Sequence, residues 1–131
     1  MIGLDTNVLV RYIMQDDPKQ SPKANKIIDA LESDNTGFIT IVSVIEFYWV
    51  LTTCYELTDG EFLQALEAVL RTKQFVVENA DQVVRALRVF EQGRSDFADC
   101  LIERMASNAG CIKTMTFDVR ASKHAGMTLI A

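Results

Sequence analysis

A single histidine, three cysteines and thirteen basic residues against eighteen acidic ones close off large areas of chemistry to this chain. The cysteines (Cys54, Cys100, Cys111) are odd in number and form no C-x-x-C pair, so no disulfide framework is expected. They read as buried, reduced thiols of a cytoplasmic protein. The net charge of −5, with an isoelectric point near 4.8, argues against a broad basic surface for nucleic acid. It leaves room for a nucleic-acid enzyme whose acids are neutralised by metal, and it suits a basic peptide partner. No glycine-rich phosphate loop with a Walker lysine occurs, so triphosphatase chemistry is not expected. No basic leader precedes Asp5, so no signal peptide is expected. No membrane span is expected either. Residues 37–51 are nearly all apolar, but Glu46 stands in their middle and the unbroken part is shorter than the roughly 20 residues a span needs.

What the chain does have is an ordinary soluble composition, 49% apolar and 24% charged, over 131 residues. That length predicts one domain, residues 1–131, able to bury roughly two-thirds of its unfolded surface without staples. Short apolar strands are predicted at the N-terminus and at 38–41, 75–78, 112–116 and 128–130. Amphipathic helices fill the gaps: one from about Val8, then 19–32, a third capped by Ser43 and running to about Tyr55, and a fourth capped by Thr58 or Asp59. Two more follow at 80–92 and 96–108, the latter capped by Ser95, and a short basic helix follows Asp118. Strands separated by helices imply right-handed crossovers, a parallel sheet and the α/β class.

Acids recur where such a sheet binds ligands, outside the carboxyl ends of its strands. Asp5 and Asp118 each end an apolar strand and precede a helix. Either alone could be a helix cap; two at one sheet edge weaken that reading. Glu46 has Val42, Trp49 and Val50 as helical neighbours, and a carboxylate buried among them must be paired, protonated or metal-bound. Asp99 falls at the edge of the apolar stripe drawn by Phe97, Leu101 and Met105, while Asp96 points further toward solvent. Like charges ~4 Å apart cost about 4 kcal/mol at an effective dielectric near 20. A divalent cation removes that conflict, and an all-oxygen set favours Mg²⁺ or Mn²⁺ over zinc. The chemistry that follows is phosphodiester hydrolysis. The lone His124 reads as a surface residue.

Four stretches in this order resemble a PIN-domain ribonuclease, and more narrowly a VapC-type toxin of a toxin–antitoxin pair. They are Ile2-Gly3-Leu4-Asp5-Thr6-Asn7-Val8-Leu9-Val10, Ser43-Val44-Ile45-Glu46 with Trp49-Val50-Leu51, Asp96-Phe97-Ala98-Asp99-Cys100-Leu101-Ile102, and Thr114-Met115-Thr116-Phe117-Asp118. Ala125-Gly126-Met127 closes the pattern. Cys100 and Gly3 depart from the commoner residues but are small enough to keep it. The resemblance implies a three-layer α/β/α sandwich around a short parallel sheet. It implies metal-binding catalytic acids at Asp5, Glu46, Asp99 and Asp118, with Asp96 as an extra acid, and orienting polar residues at Thr6, Asn7 and Thr116. It further implies cleavage of tRNA or a ribosomal RNA loop with Mg²⁺ or Mn²⁺, a homodimer, and an antitoxin that blocks the site with a basic side chain.

Arg11, Arg94, Arg120 and Lys123 lie nearest the acidic motifs in sequence and are candidates for RNA phosphate contacts. Phe47, Tyr48 and Trp49 read as core, as do the methionines. Two rival classes stand beside the nuclease. A non-catalytic module could bind a basic partner through the same acids, but it would not need all four. A receiver-type phosphoacceptor needs an acidic pair at the first strand and a lysine at the last, and neither is present.

Overall fold

A computed structural model describes residues 1–131, which form two compact units, Met1–Glu78 and Asn79–Ala131. The first unit carries a three-stranded parallel sheet ordered β1 (Ile2–Gly3), β2 (Gly37–Ile39), β3 (Phe75–Val77). Ile2 lies opposite Gly37, and Gly37 opposite Phe75. Between β1 and β2 run α1 (Thr6–Met14) and α2 (Gln20–Asp29). Between β2 and β3 run α3 (Ile41–Trp49), a π-helical segment (Val50–Cys54) and α4 (Asp59–Arg71). Capping residues follow the first two strands within two positions. Asp5 and Thr40 leave β1 and β2 in extended conformation, and each starts a helix.

The core of this unit is aliphatic and aromatic. Leu9, Ile28, Ile39, Val44, Phe47, Leu51, Phe62 and Leu66 are all but fully buried. Phe62 meets Phe47 and Tyr48 with ring centroids 6.2 and 4.8 Å away. Burying each such ring contributes about 1.5–3 kcal/mol. A Cβ at Gly37 would stand 2.6 Å from Leu4 Cδ1, so a larger residue there requires the Leu4 side chain to move. Helix α4 begins with a reciprocal cap: Glu61 N–H donates to Thr58 Oγ1 and Thr58 N–H to Glu61 Oε1.

The second unit pairs α5 (Ala80–Phe90) with α6 (Phe97–Asn108), followed by β4 (Met115–Thr116), α7 (Val119–His124) and β5 (Thr128–Leu129). Strands β4 and β5 are parallel, with Met115 opposite Thr128. Val83, Leu87, Phe90, Phe97 and Leu101 close the interface between α5 and α6, and the Phe90 and Phe97 rings meet edge to face at 5.8 Å. Gly93, at φ +79°, turns the chain between these helices.

The class is α/β, as the alternation of patterns predicts. Several details differ from expectation. Helix α3 is capped by Thr40, not Ser43: the Thr40 hydroxyl accepts from Ser43 N–H, the third residue of the helix. Helix α6 is capped by Asp96, not Ser95, because Ser95 is buried with its hydroxyl on Cys100 Sγ and the His124 carbonyl. The third helix does not run regularly to Tyr55; its last stretch widens into the π-helical segment. The fourth strand is shorter than 112–116, since Ile112 stands 98% exposed. Trp49 and Met115 lie on exposed faces and are not core. Cys54 and Cys111 are exposed, and only Cys100 is a buried thiol. No helix is long and apolar enough to cross a membrane.

Candidate functional site

In the first unit the candidate residues gather where β1 and β2 end. Asp5 follows β1 and caps α1, its Oδ1 accepting from Thr6 N–H at 2.9 Å. Thr6 is buried, and its hydroxyl donates to Glu46 Oε1 at 2.7 Å. That bond ties the first turn of α1 to the middle of α3. The carboxylates of Asp5 and Glu46 are thereby held on adjoining elements, with Thr6 between them in the chain of contacts. Glu46 is exposed, contrary to the burial expected from its sequence neighbours. Its helix is apolar nearly all round, yet Val42 and Trp49, one turn to either side, are 68% and 46% exposed. The open face of α3 is therefore the one that carries Glu46. Asn7 is also exposed.

Sequence reasoning gave no role to Glu78, which sits at the same sheet edge. It follows β3, and its Oε1 accepts from Ile41 N–H at 2.9 Å, satisfying the first turn of α3. The signal for it was its place, the first residue past a strand.

Arg11 is held by its own unit. It donates to Gln20 Oε1 (2.7 Å) and to the Tyr55 hydroxyl (2.9 Å) and stands 3.7–3.9 Å from Asp16 and Asp17. Burial, then the nearby Asp16, pushes the Tyr55 hydroxyl above the ordinary range for tyrosine. A groove of about 230 Å³ beside this cluster is lined by Asn7, Val8, Arg11, Gln20, Lys23, Ala24 and Ile27. No acid lines it.

In the second unit Asp96, Asp99 and Asp118 share one electrostatic neighbourhood. Asp96 Oδ1 accepts from Asp99 N–H at 2.7 Å, so the cap of α6 places the two acids one turn apart. Asp118 caps α7, accepting from Arg120 N–H at 2.8 Å and Ala121 N–H at 3.2 Å. Thr116 orients it from the other side, its hydroxyl accepting from Asp118 N–H at 3.0 Å. Partial burial raises the Asp99 carboxyl above its ordinary range. The negative charges of Asp96 and Asp118 add to this, and Arg120 opposes it. Asp96 is half-buried rather than turned to solvent. Arg94 and Arg120 are exposed, and Arg120 Nε donates to the Arg94 carbonyl at 2.8 Å. Lys123 is exposed, and His124 is half-buried.

The donor set consists of carboxylate oxygens, which fit a hard divalent cation. The like-charge strain on Asp99 is the kind that such an ion relieves. Neither unit by itself assembles three His, Cys, Asp or Glu side chains that could hold a metal ion.

Compared with known proteins, residues 2–127 match the family model described as PIN domain, which is nearly the whole chain. No curated protein matches it significantly.

Proposed function

The chain belongs to the PIN domain family, and on that premise we propose that it is a metal-dependent endoribonuclease, the toxin of a toxin–antitoxin pair. PIN domains are usually nucleases, which are hydrolases, and they generally use divalent metal ions. The observation that carries the reading is the gathering of Asp96, Asp99 and Asp118 in one unit, where Asp99 N–H bonds to Asp96 and the charges of Asp96 and Asp118 bear on the partly buried Asp99.

In this reading Asp5, Glu46, Asp99 and Asp118 hold Mg²⁺ or Mn²⁺, with Asp96 assisting. The ion, when bound, supplies Lewis acidity toward a phosphate and lowers the pKa of a water. The chain's own residues prepare the rest. Thr6 fixes the rotamer of Glu46. Thr116 and the first turn of α7 fix Asp118. Asp96 fixes the start of α6 and with it Asp99. Arg94 and Arg120 offer cations to the RNA backbone, while Arg11 braces α1 against α2. Water adds to phosphorus and one P–O ester bond breaks, leaving a phosphate on one fragment and a hydroxyl on the other.

The substrate in this proposal is a tRNA or a ribosomal RNA loop. The protein is cytoplasmic and homodimeric, residues 1–131 act as one nuclease domain, and the antitoxin places a basic side chain among the acids. The net charge of −5 suits that partner. The test is RNA cleavage by the purified protein and by Asp5→Asn and Asp99→Asn. Both variants are expected to fold, to lose cleavage by roughly a hundredfold or more, and to relieve growth arrest. Undiminished cleavage in either variant, or in EDTA, would refute the proposal.

A further inference from the structure

Phe117 is 81% exposed, although proteins bury phenylalanine more readily than most residues. Its backbone is held on both sides. Thr116 belongs to β4, and Asp118 is fixed by the Thr116 hydroxyl and by the first turn of α7. The ring therefore stands uncovered on a braced frame.

Single exposed apolar side chains are ordinary. The company of this one is not. Asp118 is the next residue and Arg120 the third along, and Arg120 is joined through Nε to the carbonyl of Arg94. Both arginines are exposed. An exposed aromatic ring on a segment that also carries exposed arginines offers what single-stranded nucleic acid requires: a surface for a base and cations for the adjoining phosphates. A protein partner fits less well. Met115 and Val119 are exposed on either side of Phe117, but the charges of Asp118 and Arg120 fall among them, and the cores of protein interfaces are depleted of charge.

Resting on the ribonuclease reading, we propose that Phe117 stacks on one unpaired base of the RNA next to the cut, while Arg120 holds a neighbouring phosphate. A base inside a duplex has both faces covered, so this subsite selects single-stranded or looped RNA.

The experiment measures binding of a short, labelled, single-stranded RNA of mixed sequence, with Mg²⁺ present, to the cleavage-deficient Asp5→Asn protein. Phe117→Ala is added to that background, with Phe117→Trp as its conservative counterpart. Phe117→Ala is expected to weaken binding about tenfold with an unchanged salt slope, and Phe117→Trp to bind as the parent does. Arg120→Ala is expected to lower the salt slope by about one. An abasic nucleotide at the stacked position should remove the difference between the Phe117 variants. Equal binding by Phe117→Ala and the parent would overturn the proposal. So would a fall in binding accompanied by a change in sedimentation, which would assign the ring to a protein interface. If the natural chain cleaves RNA and Phe117→Ala cleaves it equally well, only the stacking role fails. If the natural chain neither binds nor cleaves RNA, the ribonuclease reading fails and this role with it.

Discussion

The hydroxyl of Thr6 and the carboxylate of Glu46, forty positions apart, share a 2.7 Å hydrogen bond. The donor is buried and the acceptor is exposed, so the bond limits where an otherwise free carboxylate can point. Residues that orient metal ligands typically contribute 10–100-fold in affinity or activity. Thr6→Val keeps the shape and removes the donor. It is expected to shift the Mg²⁺ dependence of cleavage at least ~10-fold upward, while Thr6→Ser stays near the natural protein. Thermal melting should change little, because water can solvate the released Glu46. A Mg²⁺ titration of cleavage in the three proteins measures this.

Asp99 presents the opposite balance. Its carboxylate is disfavoured in the fold by burial and then by Asp96 and Asp118. Asp99→Asn should therefore remove activity and, with a chelator present, raise stability at neutral pH. The gain is small, up to about 0.5 kcal/mol, since solvent still screens a half-buried group. Chemical denaturation in EDTA reads it. A variant less stable than its parent would show that the site is not under electrostatic strain.

Asp17 gives a pH dependence of the ordinary sign. Its carboxylate accepts from Gln20 N–H at 2.7 Å and Lys19 N–H at 2.9 Å, and these bonds hold its pKa below the usual 3.8. A lowered folded pKa means stability that is present above about pH 3.8 and lost as the pH falls through the folded value. The stability difference between natural protein and Asp17→Asn should be constant from pH 7 to about pH 5 and shrink below 3.8. Urea unfolding at a series of pH values checks it.

The three thiols should separate by reactivity. Cys54 and Cys111 are exposed, whereas Cys100 is buried and its thiol pKa is pushed up, chiefly by that burial. Thiol titration of the native protein is expected to modify two cysteines quickly. The third should react roughly a hundredfold more slowly, or only on unfolding. Early modification of Cys100, found by mass spectrometry, would contradict the packing around Ser95.

Much of this was legible in the sequence. The acid that ends the first strand and starts the first helix is fixed by adjacent residues, and so is Asp118 after β4. Both are local patterns. The sequence predicts a buried Glu46 because its helix is apolar on every side, and periodicity cannot tell which apolar face stays open. Trp49 lies on that open face, which periodicity does not reveal either. Ser43 and Thr40, or Ser95 and Asp96, are equally good caps by composition. The choice depends on which residue leaves the preceding segment extended, with its oxygen in reach of the third helical N–H. Glu78 has only its place after a strand as a signal and the π-helical widening has none, since both depend on contacts made across the fold.

That widening has a consequence for tolerance to deletion. Tyr55 N–H bonds to the Val50 carbonyl five residues back, so this turn carries one residue more than a regular helix would. Excising any one position from 50–54 would turn that five-residue bond into an ordinary four-residue one, and the helix would continue at its normal pitch with Tyr55 still on the side of the Arg11 guanidinium. The wider turn absorbs the extra residue, so a chain shortened there by one position would keep the tether between its first helix and the end of its third.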